Sequence, residues 1–202
     1  MSVHKEERRY EGVVVGGGMA GVCAAIASAR KGVRTAIVQN RSMFGGNASS
    51  EIRMHIVGAN AHGSKKNLGE TGILLEILLE NKRRNPYASF PVFDSVIWEK
   101  VHFQENLDAY LNTDMDDVIM DGKKVAAIVG HQNTTETEFT IYGDIFVDAT
   151  GHGTLATMGG AAGRMGSEGR DEFHEPDAPT EPNQDTMGNT LMFSAVDRGE
   201  PV

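Results

Sequence analysis

The chain has little that would cross-link it or place it in a membrane. It contains a single cysteine, Cys23, among 202 residues, so no disulfide can form within the chain. This fits a reducing compartment. The chain begins with MSVHKEERRY, which is charged and lacks the apolar core of a signal peptide. Its longest apolar stretches are shorter than the roughly 20 residues that a membrane-spanning helix requires. We therefore expect a cytoplasmic protein that neither crosses nor binds a membrane.

Positive charge is also scarce. The chain has 19 lysines and arginines against 28 acidic residues, and its formal net charge is -9. Such a surface repels phosphate backbones and anionic lipid, so neither nucleic acid nor a membrane is an expected partner. The hydrophobic fraction of 40% is that of an ordinary globular protein. Nothing in the sequence fixes the oligomeric state.

The N-terminal part of the chain has the pattern of a βαβ unit. A β-branched run over residues 12–16 predicts a buried parallel strand, and small apolar residues over 19–31 predict a helix packed closely on a sheet. Gly32 ends this helix, and a second strand is predicted over 34–39. The crossover between the two strands should be right-handed.

The sequence after the βαβ unit predicts two helices followed by several strands. Residues 70–84 form an amphipathic helix with a basic C-terminus, and a second helix should run from Asp94, its N-cap, to about Asn106. The turn Asp121-Gly122 predicts a hairpin. A long functional loop is predicted over 42–63. Hairpin strands are predicted over 118–120 and 124–129, a third meander strand over 139–142 and a further strand over 144–149. A short helix from Leu155, an irregular loop over 164–189 and a strand over 190–196 complete the predicted elements.

A glycine pattern at the end of the first strand predicts a dinucleotide-binding turn. Gly16, Gly18 and Gly21 fit G-x-G-x-x-G between a strand and a helix. Gly16 permits the tight turn, Gly18 lets the backbone approach a pyrophosphate, and Gly21 lets the helix pack close to the strand. The N–H groups at the start of the helix would then face the phosphates.

One feature weakens the case for NAD, and two further features favour FAD. The second strand ends at Gln39, where an NAD site usually has a carboxylate for a ribose hydroxyl, although an amide can also accept and donate hydrogen bonds. Gly45-Gly46 follows that strand and allows a bare backbone to run beside a dinucleotide. The sequence DATGHG, residues 148–153, places glycines at the end of a later strand, where doubly wound sheets bind ligands.

Two stretches resemble a known family. They are VVVGGGMAGVCAAIASARKGVRTAIVQNRSMFGGNASSEIRM and VDATGHGTLATMGGA, and the resemblance covers about residues 10–60 and 140–202. Both are similar to the N-terminal region of FAD-dependent oxidoreductases of the glutathione-reductase-like class with two dinucleotide-binding domains. The resemblance implies an α/β fold: a Rossmann-like FAD-binding domain with a parallel sheet, helices on both faces and an inserted β-meander.

The resemblance also implies contacts for each part of FAD. The residues implied to line the pyrophosphate are Gly16, Gly18, Met19 and Ala20, and Gly21 is predicted as a further cofactor-binding residue at this turn. Those implied near the adenosine ribose are Gln39, Asn40 and Arg41, with backbone near Met115 or Asp116 at the adenine. Those implied to run from the pyrophosphate toward the flavin are Gly45, Gly46, Asn47, Ala48 and Ser49. Those implied to close over the cofactor are Thr150, Gly151 and His152, where many relatives carry Asp in place of His152.

Candidate catalytic residues follow the second glycine pair. Arg53 would hold a substrate carboxylate or hydroxyl, or stabilise a reduced flavin; the alternative is a structural ion pair with Glu51 or another carboxylate. His55 would act as an acid or base, or else as a hydrogen-bonded packing residue. His62 is expected to be exposed, and the histidine spacing does not fit a metal site. Cys23 is expected to be a buried, inert thiol.

The predicted function is hydride transfer between FAD and a small organic molecule. We expect an FAD-binding domain over residues 1–162, followed over 163–202 by a loop and the start of an incomplete substrate domain, so the native protein should be longer. One alternative is an NAD(P)-binding Rossmann dehydrogenase. A second is a truncated cofactor-binding module that has no catalytic activity.

Overall fold

The computed structural model describes residues 3–59 and 68–188, together with Val196 and Gly199. The chain divides into two compact units, residues 1–160 and 161–202. His62, which is expected to be exposed, lies outside the described residues. The strand predicted over 190–196 also lies outside them, apart from Val196.

The first unit contains six strands and four α-helices within the described ranges. In chain order they are β1 (His4–Val15), α1 (Met19–Arg30), β2 (Thr35–Val38), α2 (Gly72–Arg84), α3 (Phe90–His102), β3 (Leu107–Tyr110), β4 (Thr113–Asp121), β5 (Lys124–Gln132), β6 (Thr137–Asp148) and α4 (Thr154–Met158), with a 3₁₀ turn at Gly46–Ala48. The longest of the helices, α2 and α3, have 13 residues each. None of the helices in the described part of the chain has both the length and the apolar character needed to cross a membrane.

The strands form one mixed sheet in the order β3-β2-β1-β6-β5-β4. The first four strands in this order run parallel, whereas β6, β5 and β4 form an antiparallel meander. Val15 at the end of β1 is level with Val38 of β2 and with Asp148 of β6. The carboxyl ends of three parallel strands therefore meet at one edge, where open α/β sheets bind ligands.

Alternate residues of the strands bury two separate cores. Val14 and Ile37 face α1, α2 and α3 on one side of the sheet. Val15 and Val38 face the opposite side, where residues of the meander and Leu155 of α4 cover them. This alternation follows from the period of two in a strand. The predicted Rossmann-like α/β fold with an inserted β-meander is confirmed.

Strands β1 and β6 are longer than the sequence predicts. β1 begins at His4, not at residue 12, because the charged segment His4–Tyr10 pairs in parallel with the first half of β6. β6 runs without a break through the two strands predicted over 139–142 and 144–149. The two long strands pair along almost their whole length. Backbone hydrogen bonding between them, and not a run of apolar residues, therefore determines where they begin and end.

The second predicted helix is shifted in the structure. α3 begins at Phe90 after Ser89, with proline in its first turn, so the prediction of Asp94 as N-cap is wrong. Proline suits this position because the first N–H groups of a helix need no internal partner. α3 ends at His102, and Asn106 has a φ of 62°, which breaks the helix before β3. β3 itself was not predicted from the sequence.

Over residues 161–188, the continuous part of the second unit that the structure describes, the one helix is α5 (Arg170–Phe173), which lies in the stretch predicted as an irregular loop. Ser167 and Asn183 form an antiparallel bridge beside it, with N–H···O distances of 3.1 and 3.0 Å. The Arg164 guanidinium pairs with the Glu172 carboxylate at 2.6 Å. Backbone pairing and a surface ion pair thus organise this segment.

Candidate functional site

The turn between β1 and α1 can be formed only with glycine at two positions. Gly16 has a φ of 103°, and a Cβ there would lie 2.4 Å from the Ala149 carbonyl oxygen. A Cβ on Gly21 would lie 1.8 Å from the Gly16 carbonyl oxygen. Both distances are shorter than any real contact, so α1 rests directly against the turn because side chains are absent.

Gly18 is different, because its open side faces solvent instead of protein. A Cβ built on Gly18 would have no atom within 4 Å. Gly18 is the N-cap of α1, and no described side chain caps that helix start. The N–H groups of the first helical turn are therefore free to bind an anion, which the helix dipole also favours.

The second glycine pair lies directly against this turn. The Gly45 N–H donates to the Gly17 carbonyl oxygen at 2.8 Å, and Gly18 and Gly45 form an isolated parallel bridge. A Cβ on Gly46 would lie 3.1 Å from the Gly18 Cα. The two glycine segments are widely separated in sequence, yet they form one continuous stretch of bare backbone, as the dinucleotide prediction requires.

Gln39 holds the turn and the following loop together. Its side chain is buried, and its Oε1 accepts a hydrogen bond from the Gly17 N–H at 2.8 Å. Its Nε2 donates to the Met43 carbonyl oxygen at 3.3 Å. Both polar ends of the amide are thus engaged by the backbone of the protein itself.

The third segment of the site follows β6 and is organised by Asp148. The carboxylate accepts hydrogen bonds from the Thr150 N–H at 3.0 Å, the Thr150 hydroxyl at 2.7 Å and the Ala156 N–H at 2.9 Å. Burial tends to raise the pKa of Asp148, but the hydrogen bonds from Ala156 and Thr150 outweigh it and hold the pKa below its usual value. Asp148 therefore stays ionised and fixes the loop at residues 149–153. Sequence reasoning identified this loop but not the role of Asp148 in it.

These segments enclose a groove of about 730 Å³. Its size lies within the range of small-molecule sites. The predicted site residues that line it are Gly16, Gly18, Met19, Ala20, Gln39, Asn40, Arg41, Gly45, Gly46, Asn47, Ala48, His55, Met115, Thr150, Gly151 and His152. The lining residues that the sequence analysis did not assign to the site are Val15, Val38, Met54, Ile56, Thr113, Asp114, Ala149 and Thr154. Thr113 and Asp114 were missed because they follow β3, which was not predicted.

Three predicted site residues do not line the groove. Gly21 lies behind the turn. Ser49 is fully buried, and its hydroxyl donates to the Gly46 carbonyl oxygen at 2.7 Å, so it supports the loop from beneath. Arg53 is exposed, with a φ of 62°, and its Nε donates to the Ser50 carbonyl oxygen at 3.1 Å. The structure therefore does not bring Arg53 to the groove.

The acidic neighbour of Arg53 has another partner. Glu51 pairs with the Arg41 guanidinium at 2.7 Å, so the predicted alternative of an ion pair between Arg53 and Glu51 is replaced by one with Arg41. His55 lines the groove and packs near the Phe90 ring, with 5.9 Å between the ring centroids. The structure thus places His55 where either of its predicted roles is possible.

Two other sequence expectations concern reactive groups. Cys23 is partly exposed, so the expectation of full burial is wrong, although the burial it does have raises the pKa of its thiol. Among the described residues, no group of three or more His, Cys, Asp or Glu side chains is placed to hold a metal ion.

Solved structures share this fold, and two of them are flavin-dependent enzymes. The myxobacterial chondrochloren halogenase CndH, a FAD-dependent halogenase, is 18% identical with a TM-score of 0.55, over 80% of this chain and 41% of that one. The flavin-dependent brominase Bmp2 is 18% identical with a TM-score of 0.53, over 79% and 42%. Thermovibrio ammonificans THI4 is 23% identical with a TM-score of 0.54, over 86% and 76%. The chain thus spans less than half the length of the two halogenating enzymes.

A family model covers nearly the whole chain. The model for FAD dependent oxidoreductases matches residues 12–199, which include all three segments of the groove. The groove itself fits such a cofactor, because Gly18 leaves the space of a side chain empty beside an uncapped helix start. By this match the chain belongs to the FAD dependent oxidoreductase family, and its cofactor is FAD.

Proposed function

We propose that the groove binds FAD with its diphosphate at the turn formed by residues 16–20. The observation that carries this proposal is the open side of Gly18, which faces the groove where α1 begins. The Gly45 backbone supports the turn from the other side through its hydrogen bond to Gly17. A diphosphate placed there would accept hydrogen bonds from backbone N–H groups and lie at the positive end of the helix dipole.

The two ends of the groove would hold the two halves of the cofactor. Asn40, Arg41 and Met115 cluster near the end of β2 and line the adenosine end. The proposed flavin end is lined by residues of the segments after Gly46 and after Asp148, namely Asn47, Ala48, Thr150, Gly151 and His152. Asp148 supports this end because its hydrogen bonds fix the loop that carries the last three of these residues.

The proposed reaction is hydride transfer between FAD and a small organic substrate. Bound FAD supplies the hydride chemistry, while the protein orients the reactants and excludes water. His55 lines the groove, and an imidazole nitrogen can act as a general acid or base. We therefore propose His55 as the acid or base. Arg53 is left out of the proposed machinery because it lies away from the groove.

The family match favours FAD over the NAD(P) alternative. The other alternative, a module that binds FAD without turning over substrate, differs from the proposal only in its reaction. Anaerobic mixing with candidate organic substrates distinguishes them, because bleaching of the flavin absorbance reports hydride transfer. Binding of FAD that no substrate bleaches would favour the non-catalytic module.

The binding proposal is tested by a pair of glycine variants. Gly18→Val should keep the fold and lose FAD, because the added side chain meets no protein atom but fills the space proposed for the diphosphate. Gly21→Ala should instead disturb the fold itself, because its Cβ would lie 1.8 Å from a carbonyl oxygen. Far-UV circular dichroism and flavin absorbance measure the two effects separately. Unchanged FAD binding by a folded Gly18→Val variant would contradict the proposal.

A further inference from the structure

Asp114 lies beside the end of β2 although it is distant in sequence. The Thr113 N–H donates to the Gln39 carbonyl oxygen and the Asn112 N–H donates to the Arg41 carbonyl oxygen, each at 3.0 Å. These two bonds attach the start of β4 to the residues that follow β2. Asp114 therefore lines the groove at its proposed adenosine end.

The residue at the end of β2 itself cannot play the usual part of a carboxylate at that place. In dinucleotide folds, an acidic side chain after the second strand accepts a hydrogen bond from a ribose hydroxyl. Here the position is Gln39, whose carbonyl oxygen is taken by the Gly17 N–H and whose amide donates to Met43. The side chain is also 6% exposed, so it offers little surface to a ligand.

Asp114 has the chemistry that Gln39 lacks. It provides the one carboxylate among the described residues that line the groove. Its Oδ2 accepts a hydrogen bond from the Asn133 amide at 3.1 Å, which orients the carboxylate. Within the described ranges it forms no ion pair, since the nearby Arg41 is paired with Glu51. The second carboxylate oxygen therefore remains an available acceptor.

We propose that Asp114 accepts a hydrogen bond from a ribose hydroxyl of the adenosine half of FAD. This inference rests on the proposed function, and it identifies the residue that recognises the adenosine part of FAD. A hydrogen bond to a charged acceptor is stronger than one between neutral groups, so this contact contributes to affinity. The same negative charge disfavours a ribose that carries a phosphate, and Asp114 thereby selects an unphosphorylated nucleotide.

The test measures the dissociation constants of ADP and 2′,3′-dideoxy-ADP for the cofactor-free whole chain by isothermal titration calorimetry, because FAD carries the same ribose and would itself bind the variant more weakly. Asp114→Ala should weaken ADP binding about tenfold, which corresponds to about 1.4 kcal/mol and is the size expected for the loss of a charged hydrogen bond. It should leave dideoxy-ADP unchanged, because that ligand has no hydroxyl to lose. Asp114→Asn should give an intermediate loss. Asp117→Ala is the matched control, since Asp117 lies on the same strand, is exposed and does not line the groove.

Three outcomes overturn the inference while leaving the FAD groove intact. In the first, Asp114→Ala weakens both nucleotides equally, which indicates a structural effect. In the second, it weakens neither. In the third, the unaltered chain binds ADP and dideoxy-ADP equally tightly, so no ribose hydroxyl contributes to binding. If the unaltered chain binds no FAD at all, the proposed function fails first and the inference fails with it.

Discussion

The buried side chain of Gln39 both accepts and donates a hydrogen bond, and the local structure requires both. Its oxygen accepts from the Gly17 N–H, and its nitrogen donates to the Met43 carbonyl oxygen. The Gln39 amide provides an acceptor and a donor at the end of one side chain, and a carboxylate lacks the donor. A carboxylate would keep the first bond but place a negative oxygen against the Met43 carbonyl.

We therefore expect Gln39→Glu to lower the free energy of unfolding by about 1–3 kcal/mol, the cost of an unsatisfied buried group. Thermal and urea unfolding of the cofactor-free chain measure this loss. Asn40→Asp is the matched control, since it adds the same charge at the next residue, which is exposed. Equal effects of the two substitutions would show that the added charge, and not the lost donor, is responsible.

The sequence predicts some site residues well because their chemistry is local. Gly16, Gly18 and Gly21 occupy fixed offsets between a strand and a helix, and the structure brings the first two to the groove as expected. Asp114 has no such local signal. It reaches the site through backbone hydrogen bonds between the start of β4 and the end of β2, and these depend on the unpredicted strand β3. Sequence reasoning has no means to detect that adjacency.

At the scale of elements, one carboxylate joins three helices. Glu76 of α2 accepts two hydrogen bonds from Arg30 of α1, at 2.8 and 2.9 Å, and one from Lys100 of α3, at 2.6 Å. The two bonds from Arg30, and then the one from Lys100, lower the pKa of Glu76 from 4.5 to about 2. Its side chain is 38% exposed, so solvent screening limits the energy of the cluster.

Glu76→Gln should therefore cost about 1 kcal/mol of stability at neutral pH. Because the folded-state pKa is depressed, this stabilisation is present above pH 4.5 and is lost as the pH falls toward about 2. The difference between the unaltered chain and the variant should shrink accordingly in urea unfolding at decreasing pH. Glu80→Gln is the control, since its closest partner, Arg83, lies on the same helix. A difference that does not vary with pH would contradict this account.

The boundaries of elements were predictable where local signals were strong. α2 begins within two residues of its prediction, since it has a clear amphipathic pattern. The first half of β1 was not predicted because it is charged and exposed, and it becomes a strand only through pairing with β6. The start of α3 had a signal in Pro91, which the prediction passed over in favour of Asp94.

At the scale of the whole molecule, the first unit contains both buried cores and the entire groove. The predicted division into an FAD-binding domain over 1–162 and the start of a substrate domain over 163–202 stays a prediction. It implies that residues 1–160 carry all that folding and FAD binding require.

A chain ending at Gly160 should therefore unfold in a single cooperative transition and bind FAD with an affinity within about tenfold of the full chain. Circular dichroism and flavin fluorescence titration provide the two measurements. A fragment that aggregates, or that folds but binds FAD far more weakly, would show that residues after 160 belong to the FAD-binding domain.

The backbone hydrogen bond between Gly45 and Gly17 has a kinetic consequence. It joins the two walls of the groove through the chain itself, with no side chain that must first adopt a rotamer. A site already assembled in this way loses little conformational entropy when its ligand arrives. Association with FAD should then be limited by diffusion and orientation, and not by a slow rearrangement of the protein, and it should show a single phase.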